Sequence, residues 1–198
     1  MSGVYLIGGS FDPIHEGHLS IARAILATRA PEKILFIPAQ RNPLKADAPT
    51  DSVHRWAMLQ LALEEWGEPR VGAWEGELQR PGPSYTIDSL KELKRLGEQD
   101  LILVVGNEVY PTLNRWKDPD GIRANARLLV VERHAQTAEM TPEKGVDWLR
   151  FPILDVSGTA LRKAIGELWR AGRMETKPRG IGHSVWRYIK ENRLYAVS

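Results

Sequence analysis

Short apolar runs typical of buried strands alternate with helix-like patterns along most of this chain, and this alternation constrains the fold more than any other feature. Strands separated by helices predict an α/β fold whose strands run parallel. We therefore expect a doubly wound parallel sheet of five or six strands with helices on both faces. The predicted strands are Val4–Ile7, Lys33–Ile37, Val71–Trp74, Leu101–Val105, Leu128–Val131 and Phe151–Leu154.

Helices are predicted between these strands from apolar residues at helical spacing and from residues typical of helix ends. Gly97 lies where a helix is expected to stop, since glycine readily adopts the left-handed conformation that ends a helix. The other predicted boundaries are a helix start at Asp51 or Ser52, a cap at Ser84 or Thr86, two closing helices near Thr159–Ala171 and Ser184–Glu191, and loops at 40–51 and 134–146.

The composition limits the classes of function. With 198 residues, 42% of them hydrophobic, the chain is predicted to be one domain, 1–198, with 158–198 as its small C-terminal helical part. It contains no cysteine, which excludes a disulfide scaffold, a thiolate nucleophile and a cysteine-ligated metal. A net charge of +2 is too balanced to indicate nucleic-acid binding. No apolar run approaches the roughly 20 residues of a membrane span. We expect a cytoplasmic protein without nucleic-acid or membrane partners; a homo-oligomer stays open.

The first predicted strand leads directly into a candidate phosphate site. Gly8 and Gly9 follow the strand, and glycine lets backbone amides approach a phosphate without an intervening Cβ. His15 and His18 stand where the next helix begins, at an end whose unpaired N–H groups favour anions. The alternative interpretation is a glycine turn with two surface or zinc-binding histidines. Asp12 is interpreted as a turn residue before Pro13, because an ionised phosphate nucleophile needs no base.

The run from Gly8 to His18 also carries a family resemblance. His15-Glu16-Gly17-His18 resembles the H-x-G-H signature of the nucleotidyltransferase superfamily, in the version found in adenylyltransferases of NAD and coenzyme A synthesis. This implies a Rossmann-like nucleotidyltransferase fold. It also implies direct attack of an acceptor phosphate on the α-phosphorus of ATP, without an adenylylated enzyme. Mg²⁺ is expected to arrive with ATP, and no dedicated metal site is expected. The implied ATP-binding residues here are Gly8, Gly9, Ser10, Phe11, His15 and His18, and the two histidines are the implied catalytic residues, with His18 making the main transition-state contact.

A second block, from Val156 to Arg162, resembles the I-S-S-T-x-I-R signature of the same family. The resemblance implies that Ser157 and Thr159 open a helix toward the β- and γ-phosphates. Arg162 lies on the same helix face as Thr159, and its guanidinium can bind phosphate oxygens bidentately. The departure is Gly158, which stands where serine is usual.

Three further segments resemble those of bacterial nicotinate-nucleotide adenylyltransferases: the segment from Arg80 to Leu90, Gly106-Asn107-Glu108 with the following Trp116, and the loop from Pro38 to Lys45. The implied acceptor is nicotinate mononucleotide. The implied substrate-binding residues are Lys45, Ser84, Tyr85, Thr86, Trp116 and Lys117, and the further implied ATP-binding residues are Gly106, Glu108 and Arg133. Leu44, Glu108 and Lys117 replace the histidine, aspartate and tyrosine that are usual there. Arg55 is interpreted as a structural ion-pair residue.

Three alternative functions stay open at this point. Phosphopantetheine adenylyltransferases share the first block, but their second block normally carries serine and lysine where this chain has Thr159 and Arg162, and they lack the segment around Ser84. A cytidylyltransferase is disfavoured for the same reasons. A regulatory module that binds nucleotide without catalysis is disfavoured because His15, His18, Thr159 and Arg162 are intact.

Overall fold

A computed structural model describes residues 2–41, 43, 50–132, 145–152 and 156–196. Its centre is a six-stranded parallel sheet in the order β3-β2-β1-β4-β5-β6. The strands are β1 (Val4–Gly9), β2 (Lys33–Pro38), β3 (Val71–Ala73), β4 (Leu101–Gly106), β5 (Arg127–Glu132) and β6 (Val146–Arg150). This order confirms the doubly wound plan, since the chain winds outward in one direction from β1 and then in the other from β4.

The strand register brings several loops to one edge of the sheet. Gly9 at the end of β1 pairs with Pro38 at the end of β2, and Gly106 at the end of β4 pairs with Val131. Because β1 and β4 are neighbours, the winding direction reverses between them. Ligands of doubly wound sheets bind outside the carboxyl ends of the strands at this point.

Helices cover both faces of the sheet. Successive strand residues point to opposite faces, so Tyr5 packs into one core and Leu6 into the other. The first core also takes side chains from α1, α2, α5 and α6, and the second takes them from α3 and α4. None of the described helices is long and apolar enough to cross a membrane. The helices are α1 (Glu16–Thr28), α2 (Ser52–Trp66), α3 (Thr86–Arg95), a 3₁₀ helix (Tyr110–Arg115), α4 (Pro119–Asn125), α5 (Gly158–Arg170) and α6 (His183–Glu191).

The first five predicted strands are confirmed to within about two residues at each end. The sixth, predicted at Phe151–Leu154, is wrong at its first two residues, and residues 153 and 154 lie outside the described residues. The final strand is Val146–Arg150, and Phe151 and Pro152 follow it outside regular structure. This strand lies at the edge of the sheet, and only Leu149 in it is buried. An edge strand therefore lacks the continuous apolar run that marks a central strand. Of the loop predicted at 134–146, residues 134–144 lie outside the described residues and Val146 already begins the strand.

The predicted helix ends are largely confirmed. Asp51 caps α2 by accepting a hydrogen bond from the Val53 amide. The cap of α3 differs from the prediction, because Tyr85 occupies the N-cap position without a side-chain hydrogen bond and Thr86 is the first helical residue. Gly97 follows α3 with a φ of +97°, as expected of a helix stop.

Candidate active site

The end of β1 and the loop that follows it combine an open backbone with a packed aromatic ring. Gly8 is exposed, and no atom lies within 4 Å of where a Cβ would stand. A Cβ at Gly9 would lie only 2.9 Å from the Phe11 ring. Phe11 is fully buried, and its backbone has a φ of +48°. Gly8 and Gly9, which were predicted to follow the first strand, are thus its last two residues. The strand end leaves open space at Gly8, while Phe11 anchors the following loop to the core.

His15 and His18 form a stacked pair at the start of α1. His15 is the N-cap residue, and its carbonyl oxygen accepts hydrogen bonds from the amides of His18 and Leu19. The two imidazole rings lie with centroids 3.7 Å apart and planes 22° apart. The Phe11 ring meets His18 edge-on at 5.0 Å. His15 is only 4% exposed, so the pair is held by packing at a helix end that attracts anions.

The glycine between the two histidines makes this stacking feasible. A Cβ at Gly17 would lie 3.0 Å from Cε1 and Nδ1 of His15 and 3.3 Å from the carbonyl oxygen of Val156. A side chain there would push the His15 ring or the chain before α5 out of place. Sequence reasoning missed this role, although the fixed glycine in the H-x-G-H pattern was the signal for it.

The start of α5 packs directly against the loop after β1. Ser157 caps the helix by accepting a hydrogen bond from the Ala160 amide at 3.2 Å. A Cβ at Gly158 would lie 3.1 Å from the carbonyl oxygen of Asp12. The departure from serine at this position therefore accompanies a close approach of two backbones.

Arg162 connects the two blocks through hydrogen bonds. Its Nη1 donates to the carbonyl oxygen of Asp12 at 2.7 Å, and its Nη2 donates to Oγ1 of Thr159 at 3.3 Å. A guanidinium carries five N–H donors, so these two bonds leave capacity for an anion. The predicted residues from the two ends of the chain are thus brought together.

Arg55 organises the backbone beneath this site. The residue is 1% exposed and donates hydrogen bonds to the carbonyl oxygens of Ser10, Ala39, Gln40 and Thr50. Its role is structural, as predicted, and among the described residues its side-chain hydrogen bonds go to carbonyl oxygens. Burial lowers the pKa of Arg55, and the nearby Asp12 carboxylate opposes that shift.

Glu108, which was predicted to bind ATP, lies just after the end of β4. A Cβ at Gly106 would lie 3.2 Å from Oε2 of Glu108, so the carboxylate turns back over the glycine. The Asn107 amide donates to the carbonyl oxygen of Val131. Glu108 is exposed at the sheet edge that also carries Gly9. Arg133 lies outside the described residues.

The segment before α3 is joined to the loop after β2. Oγ of Ser84 accepts a hydrogen bond from the Gln40 amide at 2.9 Å, and the Ser84 amide donates to the carbonyl oxygen of Arg41. The Ser84 hydroxyl therefore has a partner within the protein. Thr86 is half-buried at the start of α3, where no side chain caps the helix. Lys45, which was predicted to reach phosphate from the same loop, lies outside the described residues.

Trp116 and Lys117 follow the 3₁₀ helix, and Lys117 contacts the start of α3. The Lys117 ammonium pairs with the Asp88 carboxylate at 2.9 Å and lies 4.6 Å from the centroid of the Tyr85 ring. Trp116 is half-buried and donates from Nε1 to Oγ1 of Thr112 at 3.2 Å. The structure thus brings Tyr85 and Lys117 together near Thr86.

A buried carboxylate lies beneath this segment, and sequence reasoning missed it. Glu77 is 8% exposed and accepts a hydrogen bond from the Ser89 hydroxyl at 2.5 Å. Burial raises the pKa of Glu77, while hydrogen bonds from Ser89 and Ser84 oppose the shift. Arg80 also donates to Oγ of Ser89 at 2.6 Å. These contacts fix the chain just before α3.

Across the described ranges, no three or more His, Cys, Asp or Glu side chains lie where they could hold a metal ion together. The Asp12 carboxylate, in the loop between β1 and α1, accepts hydrogen bonds from the Tyr195 hydroxyl and the Thr50 amide.

Two sequence comparisons identify relatives over most of the chain. A family model described as cytidylyltransferase-like matches residues 6–164. A relative from Thermus thermophilus, named "Probable nicotinate-nucleotide adenylyltransferase", is 38% identical over 164 residues that cover 82% of this chain and 86% of the relative. A relative of the same name from Methylacidiphilum infernorum is 32% identical over 196 residues, 96% of this chain and 90% of the relative.

A solved structure supports the fold independently. The Plasmodium falciparum nicotinic acid mononucleotide adenylyltransferase complexed with NaAD superposes with a TM-score of 0.72, covering 100% of this chain and 99% of its own. At 16% sequence identity, that likeness speaks for the fold alone. The family model and the two relatives go further: this chain belongs to the cytidylyltransferase-like family and, within it, to the nicotinate-nucleotide adenylyltransferases.

Proposed function

We propose that this chain transfers the adenylyl group of ATP to nicotinate mononucleotide, giving nicotinate adenine dinucleotide and pyrophosphate. The observation that carries the proposal is the stacked pair of His15 and His18, with ring centroids 3.7 Å apart, at a helix start directly beyond the exposed Gly8. Two observations favour nicotinate mononucleotide over other acceptors. The relatives are named for it, and the segment from Arg80 to Leu90 resembles the one in nicotinate-nucleotide adenylyltransferases.

The proposed chemistry is a direct displacement. A phosphate oxygen of nicotinate mononucleotide attacks the α-phosphorus of ATP in line, and the bond between that phosphorus and the bridging oxygen of the β-phosphate breaks. The electron pair leaves with pyrophosphate. The attacking phosphate is already ionised, so no general base is needed. Catalysis then depends on placing the two phosphates and neutralising the charge that builds on the transferring group.

The triphosphate would lie over the loop after β1. The space in front of Gly8, the hydroxyl of Ser10 and the helix start at His15 favour phosphate oxygens there. Phe11 contributes its amide and fixes the loop, and Gly9 leaves room for the Phe11 ring. His18 makes the main contact to the transferring phosphoryl group, and His15 supports ATP binding beside it.

The leaving pyrophosphate would meet the start of α5. The amides after Ser157 and the Thr159 hydroxyl offer donors, while Arg162 offers the guanidinium positions that Asp12 and Thr159 do not use. Mg²⁺ accompanies ATP and supplies charge neutralisation, held mainly by phosphate oxygens and water. No protein ligand is assigned to the ion.

The adenosine part of ATP would lie at the end of β4. Gly106 lets the ligand approach the backbone, and the Glu108 carboxylate is the proposed acceptor for ribose hydroxyls. Glutamate reaches one methylene further than the aspartate usual in the family. Arg133 is proposed to lie near adenine or phosphate, on the basis of its position just after β5.

The acceptor would bind at the start of α3. The Thr86 hydroxyl and the amides around it, at a helix start without a side-chain cap, are the proposed donors to the pyridine carboxylate. Trp116 is the proposed stacking partner of the pyridine ring. The remaining proposed substrate-binding residues are Lys45, Ser84, Tyr85 and Lys117, among which Ser84 acts through the loop it holds at Gln40.

The experiment is pyrophosphate release from ATP and Mg²⁺ with one acceptor at a time. Nicotinate mononucleotide should support rapid release, and phosphopantetheine should not. A parallel reaction with CTP in place of ATP tests cytidylyl transfer and should release no pyrophosphate. A variant with both His15→Ala and His18→Ala is the inactive control. Pyrophosphate release with phosphopantetheine alone would make the chain a phosphopantetheine adenylyltransferase. Nucleotide binding without pyrophosphate release, whichever acceptor is present, would favour the regulatory module.

A further inference from the structure

Asp12 joins the loop between β1 and α1 to a distant part of the chain. Its carboxylate is almost completely buried, with Oδ1 accepting a hydrogen bond from the Tyr195 hydroxyl at 2.7 Å and Oδ2 accepting one from the Thr50 amide at 3.1 Å. Asp12 stands two residues after Ser10 and three before His15. A constraint on Asp12 is therefore a constraint on the backbone that leads into the stacked histidines.

Tyr195 is placed for this contact by the packing around it. Its backbone has a φ of +61°, a conformation that a tyrosine rarely adopts without support. The preceding Leu194 is buried, and its carbonyl oxygen accepts a hydrogen bond from Nε1 of Trp169 on α5. Burial raises the pKa of Tyr195 and the Asp12 carboxylate raises it further, so the hydroxyl keeps its proton and donates.

We propose that Tyr195 is a positioning residue for adenylyl transfer, acting through Asp12 to set the loop that carries Ser10 and His15. This inference rests on the proposed function only where turnover is the measurement. Without the hydroxyl, a buried carboxylate oxygen loses its donor and the loop relaxes. Because misplacement of reacting groups by about 1 Å can cost as much as ~10²-fold in rate, the effect should fall on turnover more than on ATP binding.

The test compares two tyrosines at the end of the chain. Tyr195→Phe removes the bond to Asp12, while Tyr188→Phe removes a comparable hydroxyl contact to Nδ1 of His54 at 3.0 Å, on α2. We expect Tyr195→Phe to lower kcat by about 10-fold with little change in the KM for ATP. Tyr188→Phe should keep the normal kcat. Equal kcat values for the two variants would overturn the proposal.

Coupling to Asp12 is tested by a double-mutant cycle with Asp12→Asn. If the hydroxyl acts through the carboxylate, the loss caused by Tyr195→Phe should shrink when Asp12→Asn is already present. Independent, additive losses would overturn the proposal.

A spectroscopic measurement separates this inference from the proposed function. Nuclear magnetic resonance signals of the His15 and His18 rings should shift in Tyr195→Phe and stay in place in Tyr188→Phe, whose own effect should appear at His54. These shifts need no substrate, so they decide the inference even if nicotinate mononucleotide proves not to be the acceptor. Unchanged His15 and His18 signals in Tyr195→Phe would overturn it.

Discussion

The imidazole rings of His15 and His18 stack with centroids 3.7 Å apart and planes tilted by 22°. The α-helix brings residues three apart onto one face, and the extended backbone of His15 turns its ring toward that face. Two imidazole rings thus lie side by side at the start of α1, where both can contact the same ligand group. This arrangement suits a site in which charge builds on a single phosphorus atom.

Replacement of either histidine should reduce catalysis. His18→Ala is expected to lower turnover by ~10²–10⁴-fold while ATP binds nearly normally, because its contact strengthens in the transition state. His15→Ala should lower turnover similarly and weaken ATP binding more. Steady-state kinetics and ATP titration measure both effects. His54→Ala, on α2 and paired with Tyr188, is the control and should stay active. Normal turnover in both site variants would remove the basis for adenylyl transfer.

Removal of the Arg162 guanidinium should affect both ATP binding and chemistry. Arg162→Ala loses a phosphate partner and also the bond to the Asp12 carbonyl oxygen at 2.7 Å. Arg162→Lys should recover only part of the activity, because an ammonium cannot make the paired hydrogen bonds of the guanidinium fork. The comparison is made on kcat and on the KM values for ATP and acceptor. Arg170→Ala, exposed at the end of the same helix, is the control. A change confined to the acceptor KM would mean that Arg162 faces the acceptor and not the leaving pyrophosphate of ATP.

A methyl group at position 17 should disturb the histidine pair more than it disturbs the fold. Gly17→Ala would place a Cβ 3.0 Å from the His15 ring, so the ring must shift and turnover should fall. Gly72→Ala is the control, since its Cβ would lie at an ordinary 3.8 Å from the Leu35 side chain. Gly72 lies on β3, far from the histidines along the chain. Kinetics and thermal unfolding are measured on both variants. A Gly17→Ala protein as active as the Gly72→Ala protein would contradict the packing argument.

Substitutions at the acceptor site should separate recognition of the carboxylate from recognition of the ring. Thr86→Ala is expected to raise the KM for nicotinate mononucleotide and to leave the poorer amide substrate nearly unchanged. Trp116→Ala should weaken the acid and the amide alike, since stacking on the pyridine ring does not depend on its substituent. Michaelis constants for both acceptors provide the measurement. An equal rise of KM for acid and amide in Thr86→Ala would mean that the pyridine carboxylate does not bind at the start of α3.

The sheet could be predicted from the sequence because its central strands are buried on both faces. Runs such as Leu101–Val105 are apolar throughout for that reason. The edge strand Val146–Arg150 was misplaced because it is mostly half-exposed and carries an acid and a base among its five residues. Its position is set by pairing with β5, which a local pattern does not contain.

The candidate site was predictable where short motifs carry it, as at His15 and Arg162. The supporting contacts were not, because they join residues far apart in the chain. Asp12 and Tyr195 are separated by 183 positions, and Arg55 reaches carbonyl groups on two different loops, the one after β1 and the one after β2. Backbone carbonyl oxygens have no sequence signature, so nothing in the residues around Arg55 could indicate its partners.

The most direct test of the proposed function is a competition between the two pyridine mononucleotides. Equal concentrations of the acid and the amide are incubated with ATP, Mg²⁺ and the unmodified protein, and the two dinucleotide products are quantified by mass. An amide in the carboxylate site would leave donors unpaired at about 1–3 kcal/mol each. The products should therefore favour nicotinate adenine dinucleotide by about a hundredfold or more. Equal amounts of the two products would contradict acid-selective adenylyl transfer, and the absence of both would contradict the proposed function itself.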